Sequence, residues 1–264
     1  MKKHFYLLKT CLCALAVGVL AGCSAEVDDL QLADGMGAVK LSLNADTGFE
    51  TTTKAVDESS YEDLSLYTVQ ILKDGAVVNG CEWSGNALPE ELVELDNGNY
   101  VLKAFAGEEY EGEAASTAGF YVAGEKTFNI NSNKIGVAVE CIPQCARVRV
   151  EFNEMMPEYF KDYYVEFTGT SALGSTKETW AKDDKDPVYL ALTKEETVTA
   201  TIKLVDKEGK VADDVIRTKA LAPGKAWALK IAPALENGQL GISITIDEST
   251  TDHEVDIEIP SDWL

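Results

Sequence analysis

From Gly37 onward, apolar and polar residues alternate in short runs, the period of strands that bury one face. Val39, Leu41 and Leu43 share a face, with Lys40 and Ser42 opposite. Tyr67-Thr68-Val69-Gln70-Ile71 alternates again and runs into Lys73-Asp74-Gly75, where glycine supplies the positive φ a hairpin turn requires. Ala76–Trp83 reads as the returning strand. Leu92–Leu95 precedes Asn97-Gly98, a second hairpin turn, and Tyr100–Phe105 follows it. Phe120–Val122, Lys126–Ile130 and Gly136–Cys141 complete a first set.

A second set begins after Pro143. Ala146–Phe152 places Val148, Val150 and Phe152 on one face and Arg147, Arg149 and Glu151 on the other. Pro157–Phe160 is the one convincing helical turn, with proline where a first turn accepts it. Strands are expected at Tyr163–Thr168, Val188–Leu192, Val198–Val205, Val215–Ala220, Ala226–Ile231, Leu240–Ile246 and Glu254–Ile259. Lys207-Glu208-Gly209, Pro223-Gly224 and Asn237-Gly238 mark turns between them. No long window keeps a 3.6-residue period. The pattern predicts an all-β chain: two tandem β-sandwich domains of immunoglobulin/transthyretin-like kind, residues 37–142 and 143–264. The first core is expected to hold Val39, Leu41, Val69, Ile71, Val101 and Phe105. The second takes Val148, Val150, Phe152, Val165, Ile202, Trp227, Leu229 and Ile244.

The start of the chain obeys a different rule. Lys2 and Lys3 precede an apolar stretch, Cys11–Ala21, about half the 20 residues a bilayer-spanning helix needs. It closes on Leu20-Ala21-Gly22-Cys23. A basic start, a short greasy segment, small residues at the cut and a cysteine to follow make residues 1–22 a lipoprotein signal peptide. Cleavage falls between Gly22 and Cys23, and Cys23 has the only side chain there that forms a thioether to lipid. Residues 23–36 form an acidic tether; Glu26, Asp28 and Asp29 resemble signals that send such lipoproteins to the cell surface. The expected location is therefore the outer membrane, lipid-anchored and facing outward, with the acyl chains as the contact to the membrane.

Charge narrows the partners. The sequence carries 45 acidic against 23 basic residues, a formal charge of −22. Loss of residues 1–22 removes Lys2, Lys3 and Lys9 and no acid. Such a surface repels nucleic acid and anionic head groups. Of the 6 cysteines, Cys81, Cys141 and Cys145 remain once the signal and Cys23 are set aside. Three thiols allow one disulfide at most. Residues four apart on a strand lie about 13 Å from each other, too far for a bridge unless Ile142-Pro143-Gln144 folds back.

Catalytic chemistry is nearly absent. His253 is the one histidine past the signal, which excludes His-rich zinc sites and leaves any nucleophile a single possible imidazole. Gly169-Thr170-Ser171-Ala172-Leu173 lacks the second glycine of a nucleophile elbow. Asp183-Asp184-Lys185-Asp186 lacks the framework of a calcium loop and reads as a solvated turn. No cofactor or metal is expected, and the chain is not read as an enzyme. Trp227 shares a face with Leu229 and Ile231 and reads as core, as does Trp83. Trp180 lies in the polar run Lys177–Lys182 and is the indole expected to face water and contact a glycan.

Three segments carry a family resemblance: Val39–Leu43, the tract Thr51–Tyr61, and Tyr67–Ile71. With Asn97-Gly98-Asn99-Tyr100-Val101-Leu102-Lys103-Ala104 and Phe160-Lys161-Asp162-Tyr163, they resemble surface lipoproteins of gut anaerobes related to the fimbrillins, the subunits of lipoprotein-derived pili. The resemblance implies proteolytic maturation after a basic residue that follows the first strand, and replacement of that strand by one from the next subunit. Lys54, before Ala55, is the corresponding position here, with lysine where polymerising relatives carry arginine. Two functions stay open. One is a structural or adhesive subunit, with other pilin-like subunits as partners; the other is a glycan-binding accessory lipoprotein of a polysaccharide uptake system.

Overall fold

The computed structural model describes residues 32–45, 49, 57–107, 114–236, 239–248 and 251–257, with side chains of 235–241 and from 246 onward left aside. Nearly every described element is a strand. In chain order they are β1 (Met36–Ala45), β2 (Thr68–Lys73), β3 (Ala76–Ser84), β4 (Val93–Asp96), β5 (Gly98–Ala106), β6 (Ala115–Ser116), β7 (Val122–Ile130), β8 (Lys134–Pro143) and β9 (Cys145–Phe152). After the α-helical turn α1 (Met156–Tyr159) come β10 (Phe160–Thr168), β11 (Glu178–Ala181), β12 (Val188–Ala191), β13 (Glu196–Asp206), β14 (Val215–Leu221), β15 (Ala226–Glu236), β16 (Gln239–Glu248) and β17 (Thr251–Ile257). Among the described residues, no helix is long and apolar enough to cross a membrane.

The first seven-stranded sheet runs β3-β2-β5-β7-β8-β1-β4. It does not lie flat. β7 and β8 pair only at Val122↔Pro143 and Ala123↔Ile142, so the sheet folds there into two layers. Between the layers pack Val39, Leu41, Leu95, Val137 and Val139 from one side and Val69, Ile71, Tyr100, Leu102 and Ile130 from the other. The Asp74-Gly75 turn forms as expected, both residues at positive φ (53° and 81°), and joins β2 to β3. Asn97-Gly98 is not a hairpin turn. β4 pairs with β1 and β5 pairs with β2 and β7, so this dipeptide is a corner between layers. Asn97 holds the corner by accepting the Ser132 N–H at 2.7 Å.

The second core is enclosed by a four-stranded sheet, β11-β10-β13-β14, and a six-stranded sheet, β17-β16-β15-β9-β12-β6. Val148, Val150, Val165, Ile202, Trp227, Leu229 and Ile244 meet in it. The expected helical turn is there, with Pro157 in its first turn. Two elements join the halves. β6 lies in the chain between β5 and β7 yet pairs with β12 at the edge of the second half's sheet. Tyr189, on β12, packs into the first core.

Three core expectations need correction. On β5 the buried face is Tyr100, Leu102, Ala104 and Ala106, so Val101 and Phe105 lie half-buried on the other side. Both phases of that strand contain large apolar residues, and Phe105 finds outer cover from the Tyr121 ring and the Lys103 ammonium. Phe152 and Trp83 are only partly buried against their cores.

Trp180 is the third correction. It stands on β11, opposite Val165 of β10, and is 1% exposed. The run Glu178-Thr179-Trp180-Ala181 is a short strand whose alternation turns the indole inward and leaves Thr179 and Ala181 on the exposed face. Among the described residues its Nε1–H has no hydrogen-bond partner, as is also true of Trp227. A buried indole has no open face for a sugar ring.

Candidate functional site

The feature that stands apart is β1 in its slot. It is the first described strand, and it is paired along both edges. Its register with β8 is parallel, from Ala38↔Lys134 to Ala45↔Cys141. With β4 it is antiparallel, from Met36↔Asp96 to Val39↔Val93. Ala38 and Val39 are wholly buried and Leu41 nearly so; Leu43 packs on the core from its rim. Without β1, β8 and β4 would each lose a ladder, and β4 would keep none. The slot would become an apolar groove with two open edges, a template for another strand.

The parallel course of β1 carries its C-terminal end toward the place where β8 passes into β9. Phe49 sits there, 7% exposed. Its ring meets Phe120 edge-on with centroids 5.4 Å apart, tilts against Tyr189 at 6.0 Å, and lies 4.9 Å from the Arg147 guanidinium. The chain comes back to the same place at Glu58, in the 3-10 turn Glu58–Glu62. Glu58 is 1% exposed and accepts from Arg147 Nη1 at 2.6 Å and from the Tyr189 hydroxyl at 2.8 Å. A buried carboxylate is costly unless paired and hydrogen-bonded, and here it is both. Tyr61 stacks on Phe120 at 4.2 Å, and its carbonyl accepts from the Tyr67 hydroxyl. Burial, with Cys141 and Tyr61 nearby, holds the Tyr67 phenol well above its ordinary pKa. The connection between β1 and β2 is thus pinned at both ends onto one aromatic and ionic seam.

Sequence reasoning did not find this seam. Arg147 alternates with Val148 and so reads as solvent-facing. In the structure the far side of β9 is covered by the other half, and Cys145–Val148 are all buried. Glu58 and Phe49 lie in a polar, threonine-rich stretch where nothing in the local pattern marks a buried residue. Gly22, Cys23, Lys54 and Ala55 lie outside the described residues. Cys81 and Cys141 are buried free thiols, and Cys145 is buried in the same core. Burial pushes the Cys141 thiol up to about 12. Among the described residues no three His, Cys, Asp or Glu side chains cluster to hold a metal. The Asp183–Asp186 turn is exposed, and Asp184 accepts the Ala181 N–H.

A cleft of about 500 Å³ opens between residues of the two halves, lined among others by Lys103, Tyr121, Glu125, Gln144, Ser171 and Glu196. Its polar groups are partly occupied. Lys103 lies 3.6 Å from Glu125, Gln144 donates to the Ala123 carbonyl, and Glu196 accepts the Ser171 N–H.

The family model described as "Domain of unknown function (DUF4493)" matches residues 35–261. No curated protein matches the chain in sequence. In structure the chain is similar to a candidate adhesin from Bacteroides ovatus, with 11% identity and a TM-score of 0.48, covering 84% of this chain and 96% of that one. It is similar to a fimbrial assembly protein from Parabacteroides distasonis, with 12% identity, a TM-score of 0.39, and coverage of 84% and 99%. A third neighbour is a candidate polysaccharide-binding protein from Bacteroides thetaiotaomicron, with 14% identity, a TM-score of 0.40, and coverage of 84% and 98%.

Proposed function

We propose that this chain, which belongs to the DUF4493 family, is a structural or adhesive subunit that joins others by exchange of its first strand, and is not an enzyme. Residues 20–23 support a lipid anchor at Cys23 and display at the outer membrane surface. Residues 37–142 and 143–264 are taken as its two units. The observation that carries the reading is the position of β1: the first described strand, paired on both edges, whose side chains Val39 and Leu41 fill a core. Burial of each such side chain contributes roughly 1.5–3 kcal/mol, so an emptied slot favours any strand able to refill it.

Limited trypsin digestion tests the reading. Cleavage after Lys54, ahead of any cut inside the sheets, followed by higher oligomers on a sizing column is the expected result. A clipped protein that loses residues 37–54 and stays monomeric overturns it. Separately, Cys23→Ala is expected to abolish incorporation of labelled palmitate, and labelling that persists removes the anchor.

The cleft favours a second reading, a glycan-binding accessory lipoprotein, because the Ser171 hydroxyl, the Gln144 amide and the Glu125 carboxylate line it together. Retention of the protein in polysaccharide-containing native gels, lost in Glu125→Ala, would support that role; unretarded migration on every polysaccharide tried would set it aside.

A further inference from the structure

Phe49 lies four residues past Ala45, where β1 ends its ladder against Cys141. Phe49 is more deeply enclosed than Leu43 inside the ladder. Its surroundings form a socket of two aromatic rings and a guanidinium. Phe120 presents an edge at 86° to the Phe49 ring, Tyr189 a tilted ring, and Arg147 its cation. Each geometry suits a flat π-system, since ring pairs favour edge-to-face and tilted approach, and cations sit over ring faces. An aliphatic side chain would satisfy only the apolar part.

The socket is held firm from behind. Glu58 takes hydrogen bonds from Arg147 and from the Tyr189 hydroxyl, fixing both walls. Tyr61 stacks on Phe120. Glu58 and Tyr61 both follow residue 54 in the chain. A cut at that point therefore parts Phe49 from the group that builds its socket, and the socket stays with the body of the protein.

We propose that this socket selects the strand that replaces β1: an incoming strand must bring, four residues past the one that takes the place of Ala45, an aromatic side chain to stand where Phe49 stands. The inference rests on the strand-exchange reading and goes beyond it by naming the recognition element. The groove's alternating apolar sites accept many strands, whereas the socket discriminates. A partner lacking the ring leaves Arg147 with an uncovered face and opens a void between Phe120 and Tyr189.

The test uses the full mature chain with a specific protease site in place of residues 51–56, cut so that residues before the site remain bound without a covalent link. A fluorescent peptide of residues 36–50 is then offered, and its entry is followed by anisotropy in competition with unlabelled variants. The peptide is expected to enter, Phe49→Tyr to compete nearly as well, and Phe49→Ala to compete roughly 10- to 100-fold less well, the loss expected for one buried aromatic side chain. A Leu41→Asp peptide is expected to fail because it cannot fill the groove. Equal competition by the Phe49→Ala and native peptides overturns the socket while leaving strand exchange standing. If no peptide enters the cut protein, strand exchange itself fails and the socket fails with it.

Discussion

Each half of the molecule holds one parallel strand pair among otherwise antiparallel partners, and the two pairs are secured differently. In the second half β15 lies parallel to β9, from Ala226↔Arg147 to Ile231↔Phe152, and is covered on its other edge by β16. In the first half β1 lies parallel to β8 with β4 on its other edge. β15 enters directly from β14 and leaves directly into β16, so it cannot depart without unravelling its neighbours. β1 opens the described fold and is joined to β2 only by the stretch after residue 45. The ladders are alike, but only one strand is separable. Separability here comes from the order of elements along the chain rather than from a weaker contact.

The largest expected effect falls on what ties the halves together. Glu58→Ala leaves Arg147 buried without its carboxylate and should cost about 3–5 kcal/mol, read as a fall in the urea midpoint. Replacing Glu58 and Arg147 together by apolar residues should recover most of that loss. If the single and double variants unfold alike, the pair does not organise the seam.

The next effect compares the two parallel strands directly. Leu229→Ala on β15 and Leu41→Ala on β1 remove the same side chain from 0% and 5% exposed sites. Both should destabilise by about 2–5 kcal/mol, with Leu229 the costlier. Native-state hydrogen exchange should show β1 amides opening at lower free energy than those of β15. Equal protection of the two strands would erase the contrast.

Alkaline pH should act mainly on the first half. Cys141 has a folded pKa raised from 9.0 to about 12 because burial disfavours the thiolate. A raised pKa gives stability that is complete below the unfolded value and is lost as pH rises toward the folded one. Stability should therefore decline as pH climbs from about 9 toward 12, and Cys141→Ala should flatten that decline. The smallest effect belongs to Ile216, 53% exposed on β14, where substitution by threonine should shift stability by less than about 0.5 kcal/mol.

Much of the fold was legible in the alternation. Strands such as Val39–Leu43, Thr68–Ile71 and Ala226–Ile231 each have one apolar face, and a one-residue slip would expose that whole face. Where both faces of a strand carry apolar residues, as on β5, alternation could not choose between Tyr100/Leu102 and Val101/Phe105. The inward side of Trp180 is illegible because a four-residue strand is too short to establish a period against a charged background. The seam was illegible for another reason. Arg147, Glu58 and Phe49 are buried by contacts between distant segments, Glu58 lying 89 residues from Arg147 and 131 from Tyr189, and a polar residue buried by distant chain looks locally like any surface residue.

The parallel register of β1 and β8 also sets how the protein would bear a load. If the uncut chain is tethered at Cys23, tension from the cell enters at the N-terminal end of β1 and is resisted by the sheet along the strand direction. The ladder from Ala38↔Lys134 to Ala45↔Cys141 then carries that pull in shear, sharing it among its hydrogen bonds instead of peeling them off in turn. Rupture in that geometry is a single high-barrier event, and survival under force is governed by the rate of that event rather than by the equilibrium stability of the fold.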